Sequence, residues 1–237
     1  MRLLRVRVPE LMDDPGLDMA EHERALCGLA RLNALAAVDR AVWRVIAQRA
    51  RFAGRPLRFL DVATGSGDLP LRLAARAARA GLSLDLHACD VSPVALGCAS
   101  AAAHRAGVKL SVYRADVVAD PLPTPDGGGA FDVAHCGLFL HHLDPPDVQT
   151  VLARMAGAAT MVIVQDLRRT RTGLALAWAA SRLLTRSSVV HVDGPRSVRA
   201  AYTMPEMADM ARAAGLASAR ITPVRPQRQL LVWERPA

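Results

Sequence analysis

The chain has 237 residues, of which 51% are hydrophobic, so it is long and apolar enough to form one domain with elaborations. Its formal net charge is +8, but the cations are spread along the chain and only 4% of residues are aromatic, which gives no support for nucleic-acid binding. No run reaches the roughly 20 apolar residues of a membrane span, and the first residues lack the apolar stretch of a secretory signal. Four cysteines without C-x-x-C spacing fit a reducing cytoplasm, where we expect the protein.

The first 54 residues are predicted to form a helical cap that precedes the main domain at residues 55–237. Asp18 or Ala20 precedes a long helical stretch within Met12–Arg51, in which apolar residues recur at helical spacing. We expect one face of this stretch to pack on the core or to cover the functional site.

A glycine turn joins the first predicted strand, Arg58–Leu60, to the helix that follows. The turn, Asp61–Asp68, contains Gly65 and Gly67, and such a turn lets a ligand approach the backbone and the free N–H groups of a helix start. Pro70 replaces the third glycine of a pyrophosphate-binding turn, and the flanking carboxylates suit hydroxyls and a cationic ligand end. The turn therefore favours a nucleoside that carries an amino acid over NAD or ATP.

Two more acids follow predicted strands. Asp90 ends the second strand, where an acid roughly 20–30 residues past a glycine turn can accept both hydroxyls of a ribose. Ser92-Pro93 opens the next helix, which is expected to stop at Gly107. Asp116 follows the third strand and is either a ligand-binding acid or an ordinary turn acid.

These features resemble the class I S-adenosylmethionine-dependent methyltransferases, whose first motif is written D/E-x-G-x-G-x-G. Ala63 stands where the first glycine is commonest, and its small side chain keeps the turn plausible. Over residues 55–237 the resemblance implies a Rossmann-like α/β fold: a seven-stranded, mostly parallel sheet with helices on both faces and an antiparallel C-terminal strand. It implies S-adenosyl-L-methionine as the cofactor and the adenine amino group as the partner of Asp116. The implied cofactor-binding residues are Asp61, Ala63, Thr64, Gly65, Gly67, Asp90, Val91, Asp116, Val117 and Cys136.

The remaining elements follow in order. Phe131–Cys136 and Thr160–Gln165 are predicted as the fourth and fifth strands. The capping box Thr203–Glu206 opens a helix that ends near Gly215, and Ala217–Val224 and Gln229–Trp233 form a closing hairpin. Asp144–Asp147 is not the D-P-P-Y signature of base methylation, because it lies too late and lacks the aromatic ring. It is instead interpreted as a helix start.

A helical insertion at residues 167–203 separates the fifth strand from this helix. It contains the basic group Arg168–Arg171, interpreted as a solvated loop or as an anchor for an acidic substrate. The apolar helix Gly173–Leu184 and the turn-rich stretch Val189–Pro195 follow. Insertions at this end of an open sheet lie above the ligand crevice, so the apolar helix is interpreted as a lid. Trp178 or its neighbours would then contact the acceptor substrate. Core packing and a dimer contact are the other interpretations.

The chain order is similar to that of quinone-biosynthesis and polyketide-tailoring methyltransferases. This implies methyl transfer to a hydroxyl or carbon of an apolar, aromatic small molecule such as a phenol, quinone precursor or polyketide. His141 and His191 are the candidate catalytic bases, whereas His142 is assigned a structural role first. No metal is expected, because adjacent histidines diverge on a regular helix. A Rossmann NAD(P) oxidoreductase and a non-catalytic cofactor-binding module stay open, as does a homodimer.

Overall fold

One sheet of seven strands forms the centre of the computed structural model, which describes residues 3–14 and 16–236. The strand order is β3-β2-β1-β4-β5-β7-β6, and β1 to β5 pair in parallel, whereas β7 is antiparallel to both β5 and β6. The strands are β1 (Leu57–Val62), β2 (Leu84–Asp90), β3 (Leu110–Arg114), β4 (Phe131–Gly137), β5 (Ala159–Leu167), β6 (Arg220–Val224) and β7 (Arg228–Glu234). The predicted fold class is confirmed. The strand order reverses between β1 and β4, which is where open α/β sheets bind ligands at the carboxyl ends of their strands.

Helices cover both faces of the sheet. They are α1 (Met19–Leu35), α2 (Val38–Phe52), α3 (Asp68–Arg79), α4 (Pro93–Ala106), α5 (Pro145–Ala158), α6 (Arg171–Leu184), α7 (Ser188–Ala200) and α8 (Met204–Ala213). Apolar residues of α2 and α3 pack on one face, around Phe59 and Leu73. Apolar residues of α5 and α8 pack on the other, around Leu60 and Leu152. No helix in the described ranges is long and apolar enough to cross a bilayer.

Local sequence signals fix several helix ends as predicted. The Ser92 hydroxyl accepts a hydrogen bond from the Ala95 N–H at 3.2 Å, and α4 ends at Gly107 with a φ of +63°. At α8 the full capping box is present between Thr203 and Glu206. These caps satisfy backbone groups that a helix end would otherwise leave unpaired, so they define where the helices begin and end.

The N-terminal helical stretch is two helices rather than the single one predicted. The break falls at Ala36 and Ala37, and Ala37 has a left-handed φ of +48°. No glycine or proline marks this turn, and the apolar spacing continues through it because both helices present an apolar face to the protein. The side chain of Asp18 caps α1, so the helix begins at the first of the two predicted positions, Asp18 and Ala20.

The stretch Val189–Pro195 was predicted to be rich in turns, and this is wrong. It lies inside α7, which begins with a cap from Ser187 and contains Pro195. Packing explains the difference, because α7 buries residues against α6 and α1, and tertiary contacts override a weak local preference. The insertion is thus a helical hairpin, α6 and α7, joined through Thr185.

Candidate active site

The glycine turn after β1 uses left-handed backbone at all three glycine positions of the motif. Ala63, Gly65 and Gly67 have φ values of +55°, +57° and +71°. A Cβ on Gly67 would lie 2.9 Å from the Cβ of Ala99 in α4, so this position needs glycine for space as well as for conformation. The turn therefore brings α3 and α4 together beside the crevice, and Ala63 adopts a conformation that glycine adopts more easily.

Asp90 connects the glycine turn to the start of α4. One carboxylate oxygen accepts from the Gly65 N–H and the other from the Ser92 N–H, both at 2.9 Å. Burial raises the pKa of Asp90, and the two backbone N–H groups oppose that rise. Val91 beside it is 56% exposed. The arrangement places a fixed carboxylate and an apolar side chain at the end of β2, where a ribose and a base would lie.

Asp61 lies near the carboxyl end of β1 and is buried. Its side chain accepts from the Thr64 hydroxyl at 2.7 Å and meets Nδ1 of His135, on β4, also at 2.7 Å. Asp61 and His135 are both almost fully buried. Each carboxylate oxygen thus has one contact within the protein, and Asp61 supports the turn from β1; the cofactor contact that the motif implied stays a prediction. Nothing in the sequence singles out His135 beyond its being a histidine within an apolar strand.

Three other implied cofactor residues lie at the strand ends with differing exposure. Asp116 is exposed, and its Oδ1 accepts from the N–H groups of Val118 and Ala119, as an ordinary turn acid does. Val117 and Cys136 are buried in the core, and burial raises the pKa of the Cys136 thiol. Their binding to the cofactor stays a prediction.

His141 forms a buried pair with Asp166 at the carboxyl ends of β4 and β5. His141 belongs to a short 3-10 helix, Leu140–His142, and its Nδ1 lies 2.7 Å from Oδ1 of Asp166. The His141 N–H donates to the other Asp166 oxygen at 3.1 Å, which fixes the ring against its own backbone. Nε2 faces Glu10, whose carboxylate is 3.7 Å away. The sequence singled out His141 but missed Glu10, which is 131 residues distant.

The two adjacent histidines do not diverge as predicted. The 3-10 helix brings their ring centroids to 4.4 Å, and Nδ1 of His142 lies 3.0 Å from the Asp13 carboxylate. Burial disfavours the His142 cation, but the bond to Asp13 and the Glu10 charge outweigh burial and raise its pKa to about 9. His142 is therefore a cationic link between the N-terminal segment and the loop after β4.

His191 and Trp178, both predicted near the acceptor, are engaged within the insertion. His191 contacts the Thr185 carbonyl through Nε2 at 2.9 Å, which ties α7 to the preceding turn. Trp178 is 55% exposed, and the Arg182 guanidinium lies 4.5 Å from its ring centroid. The structure thus brings His141 together with Asp166, and among the described residues neither His191 nor Trp178 has a hydrogen bond or ion pair with that pair.

The N-terminal segment, residues 3–14, crosses the insertion and the loop after β4. Arg5 donates to main-chain oxygens in that loop and at the end of α7. Asp193 of α7 accepts from two consecutive N–H groups, those of Leu11 and Met12, at 2.9 and 3.0 Å. These contacts hold Glu10 against the histidines.

Within the basic group Arg168–Arg171, Arg169 is engaged in the structure. Its guanidinium donates to Leu3 and Ala201 carbonyls and to Glu206. Arg169 is therefore a buried link within the protein, which differs from both the solvated loop and the substrate anchor that were predicted for this group.

Helix α1 covers the glycine turn. The Leu26 side chain would lie 3.8 Å from a Cβ on Gly65. Further along α1, a Cβ on Gly28 would lie 2.7 Å from the Thr185 hydroxyl, so α1 packs closely on the turn of the insertion. Helix α1 therefore packs against both the glycine turn and the insertion.

Comparison with known proteins agrees with this geometry. The family model described as "Methyltransferase domain" matches residues 59–160, which run from β1 to the start of β5. None of the curated proteins matches the chain.

Solved structures are similar at low identity. PigF in complex with SAH has 22% identity and a TM-score of 0.58, over 80% of this chain and 53% of PigF. An O-methyltransferase family 2 protein from Planctomyces limnophilus DSM 3776, in complex with apigenin, has 17% identity and a TM-score of 0.58, over 94% of this chain and 63% of that one. Magnesium protoporphyrin IX methyltransferase (ChlM) from Synechocystis PCC 6803, with bound SAH, has 16% identity and a TM-score of 0.59, over 94% of this chain and 90% of that one.

The chain spans little more than half of the length of PigF. Identity at these levels establishes a shared fold, and the domain match covers the strands that carry the glycine turn and Asp90. Residues 59–160 match the methyltransferase-domain model, and the chain shares the Rossmann-like fold of these methyltransferase structures, in agreement with the resemblance noted in the sequence.

Proposed function

We propose that this protein is an S-adenosylmethionine-dependent methyltransferase that methylates a hydroxyl oxygen of an apolar, aromatic small molecule. The observation that carries the proposal is the buried pair of His141 and Asp166 at the strand ends next to the glycine turn. The glycine turn would bind the methyl donor, and His141 would act as the base that accepts the proton of the hydroxyl acceptor. An acidic carbon nucleophile would use the same base, so product analysis separates the two.

The cofactor half of the proposal rests on the glycine turn and Asp90. The Asp90 oxygens each accept one backbone N–H and keep further lone pairs, which suit the two hydroxyls of a ribose. Exposed Val91 next to it provides an apolar surface for the adenine. Since the sulfonium of S-adenosylmethionine is already activated, the protein mainly has to align it and exclude water.

His141 is assigned as the base. Asp166 holds Nδ1 and thereby leaves Nε2 to take a proton, as a carboxylate orients the histidine in a catalytic triad. As the acceptor oxygen bonds to the methyl carbon, the carbon–sulfur bond breaks and its electron pair returns to sulfur. The hydroxyl proton passes to Nε2, and the nearby Glu10 carboxylate stabilises the cation that forms. His191 is given no catalytic role, because its Nε2 is occupied by Thr185.

The acceptor class is supported by the apolar side chains near this pair and by the proteins with the same fold. Phe139 and Leu143, which flank the short 3-10 helix, are partly buried apolar residues. Apigenin and magnesium protoporphyrin IX are named for two of the similar structures. We therefore place phenols, quinone precursors and polyketides first among the acceptors.

The test uses S-adenosylmethionine with a deuterated methyl group against a panel of these acceptors, with products read by mass spectrometry. Asp166→Asn should lower kcat by at least about 100-fold, the usual range for losing an oriented base, with unchanged affinity for S-adenosylhomocysteine. Asp209→Asn, at an acid 71% exposed on α8, is the control and should keep wild-type activity.

Two results would favour the other classes of protein that the sequence left open. Binding of NAD(P) without any response to S-adenosylhomocysteine would indicate an oxidoreductase. Binding of S-adenosylhomocysteine without label transfer to any acceptor would indicate a non-catalytic cofactor-binding module.

A further inference from the structure

Arg228, the first residue of β7, carries a buried guanidinium that is short of partners. The residue is 7% exposed, Nη2 donates to the side-chain Oδ1 of Asn33 at a long 3.3 Å, and Nη1 has no hydrogen-bond partner among the described residues. Burial lowers the pKa of Arg228 to about 10, although the charges of Asp166 and Asp68 oppose this. A buried cation is costly unless it is paired, so the position is suited to a bound anion.

A buried acceptor without a partner stands next to Arg228. Gln165 of β5 is 1% exposed, and its Oε1 has no hydrogen-bond partner within the described part of the chain. Leu167 pairs with Arg228 and Gln165 with Leu230, so Gln165 and Arg228 are diagonal neighbours on one face of the sheet. Long side chains reach each other across such a diagonal of about 7–8 Å. An unpaired donor and an unpaired acceptor therefore lie on the same face of the sheet, near the carboxyl end of β5.

Asn33 links this pair to the glycine turn. Its side chain accepts a hydrogen bond from Arg228 and lies close enough to Asp68 to favour the Asp68 carboxylate, and Asp68 directly follows Gly67 at the start of α3. Asp90 approaches the same turn from β2, which lies on the opposite side in the strand order. A ligand whose ribose meets Asp90 and which crosses the turn would place its far end at Arg228 and Gln165.

We propose that Arg228 and Gln165 bind the amino-acid end of the cofactor. Arg228 Nη1 donates to the α-carboxylate, and Gln165 Oε1 accepts from the α-ammonium group. A zwitterion uses both unpaired atoms, whereas a phosphate or simple carboxylate would leave Oε1 without a donor. The inference rests on the proposed function, because S-adenosylmethionine is the nucleoside that carries such an end.

Three ligands test the assignment by calorimetry. S-adenosylhomocysteine has both groups, its decarboxylated analogue keeps only the amine, and 5′-methylthioadenosine has neither. Arg228→Met should weaken S-adenosylhomocysteine by at least about tenfold and leave the decarboxylated analogue within about twofold, because only the carboxylate contact is lost. Gln165→Leu should weaken both amine-bearing ligands and spare 5′-methylthioadenosine. Arg220→Met, at an exposed arginine on β6, is the control and should change nothing.

Specific outcomes would overturn the inference. If Arg228→Met weakens the decarboxylated analogue as much as S-adenosylhomocysteine, the carboxylate is not the partner. If it raises only the KM of an acidic acceptor, Arg228 belongs to the acceptor site. If Arg228→Met does not fold, the affinities of Gln165→Leu for the same three ligands still test the inference. A wild-type protein that binds none of the three ligands would refute the proposed function as well, whereas binding that ignores both substitutions refutes this inference alone.

Discussion

Gly67→Ala tests how the glycine turn and α4 are packed together. The new Cβ would lie 2.9 Å from the Cβ of Ala99 and 3.3 Å from its Cα, at a residue whose φ is +71°. Two costs should combine in the free energy of unfolding. Left-handed backbone costs a non-glycine residue about 1–2 kcal/mol, and overpacking a buried contact costs about 1–3 kcal/mol. We therefore expect a loss of about 2–5 kcal/mol.

Gly81→Ala separates these two costs. Gly81 has a similar φ of +65°, but a Cβ there has no neighbour within 4 Å, so only the backbone cost of about 1–2 kcal/mol applies. Ala99→Gly combined with Gly67→Ala should recover part of the overpacking, which gives a coupling energy of about 1–3 kcal/mol in a double-mutant cycle.

Urea unfolding at one pH and temperature provides the free energies for Gly67→Ala, Gly81→Ala, Ala99→Gly and the double variant. Equal losses for Gly67→Ala and Gly81→Ala, or an additive double variant, would refute the claim that α4 crowds this turn. The result also bears on binding, because Asp90 is held between the same turn and the first residues of α4.

Three further outcomes are expected. Ala63→Gly should raise the free energy of unfolding by about 1 kcal/mol, because φ is +55° there; urea unfolding that shows a loss would contradict this. Asp90→Asn should weaken S-adenosylhomocysteine by about 1–3 kcal/mol in calorimetry, and unchanged affinity in a folded variant would argue against ribose binding. His142 has a folded pKa of about 9 against an ordinary 6.5, so its stabilising contribution is complete below pH 6.5 and lost as the pH rises towards 9. Wild-type unfolding free energy should fall across that window, and Asp13→Asn should flatten the fall; equal slopes would exclude the His142–Asp13 link.

The sequence by itself determined the features that depend on neighbours in the chain. The cap at Ser92, the stop at Gly107 and the box at Thr203–Glu206 all act within a few residues, so their residue types are enough to place helix ends. The glycine turn was recognisable for the same reason, because its left-handed residues must be small. Where local signals were weak, as in α7 and at the break after α1, the sequence led to the wrong element.

Only the tertiary structure decided how distant residues meet. His135 lies 74 residues from Asp61, and their contact depends on the register between β1 and β4. Arg228 and Gln165 become neighbours because β7 enters the sheet beside β5, antiparallel to it. A shift of one residue in that register would turn the side chain to the other face. Pairings of this kind are set by strand order and packing, and no local pattern in the sequence records them.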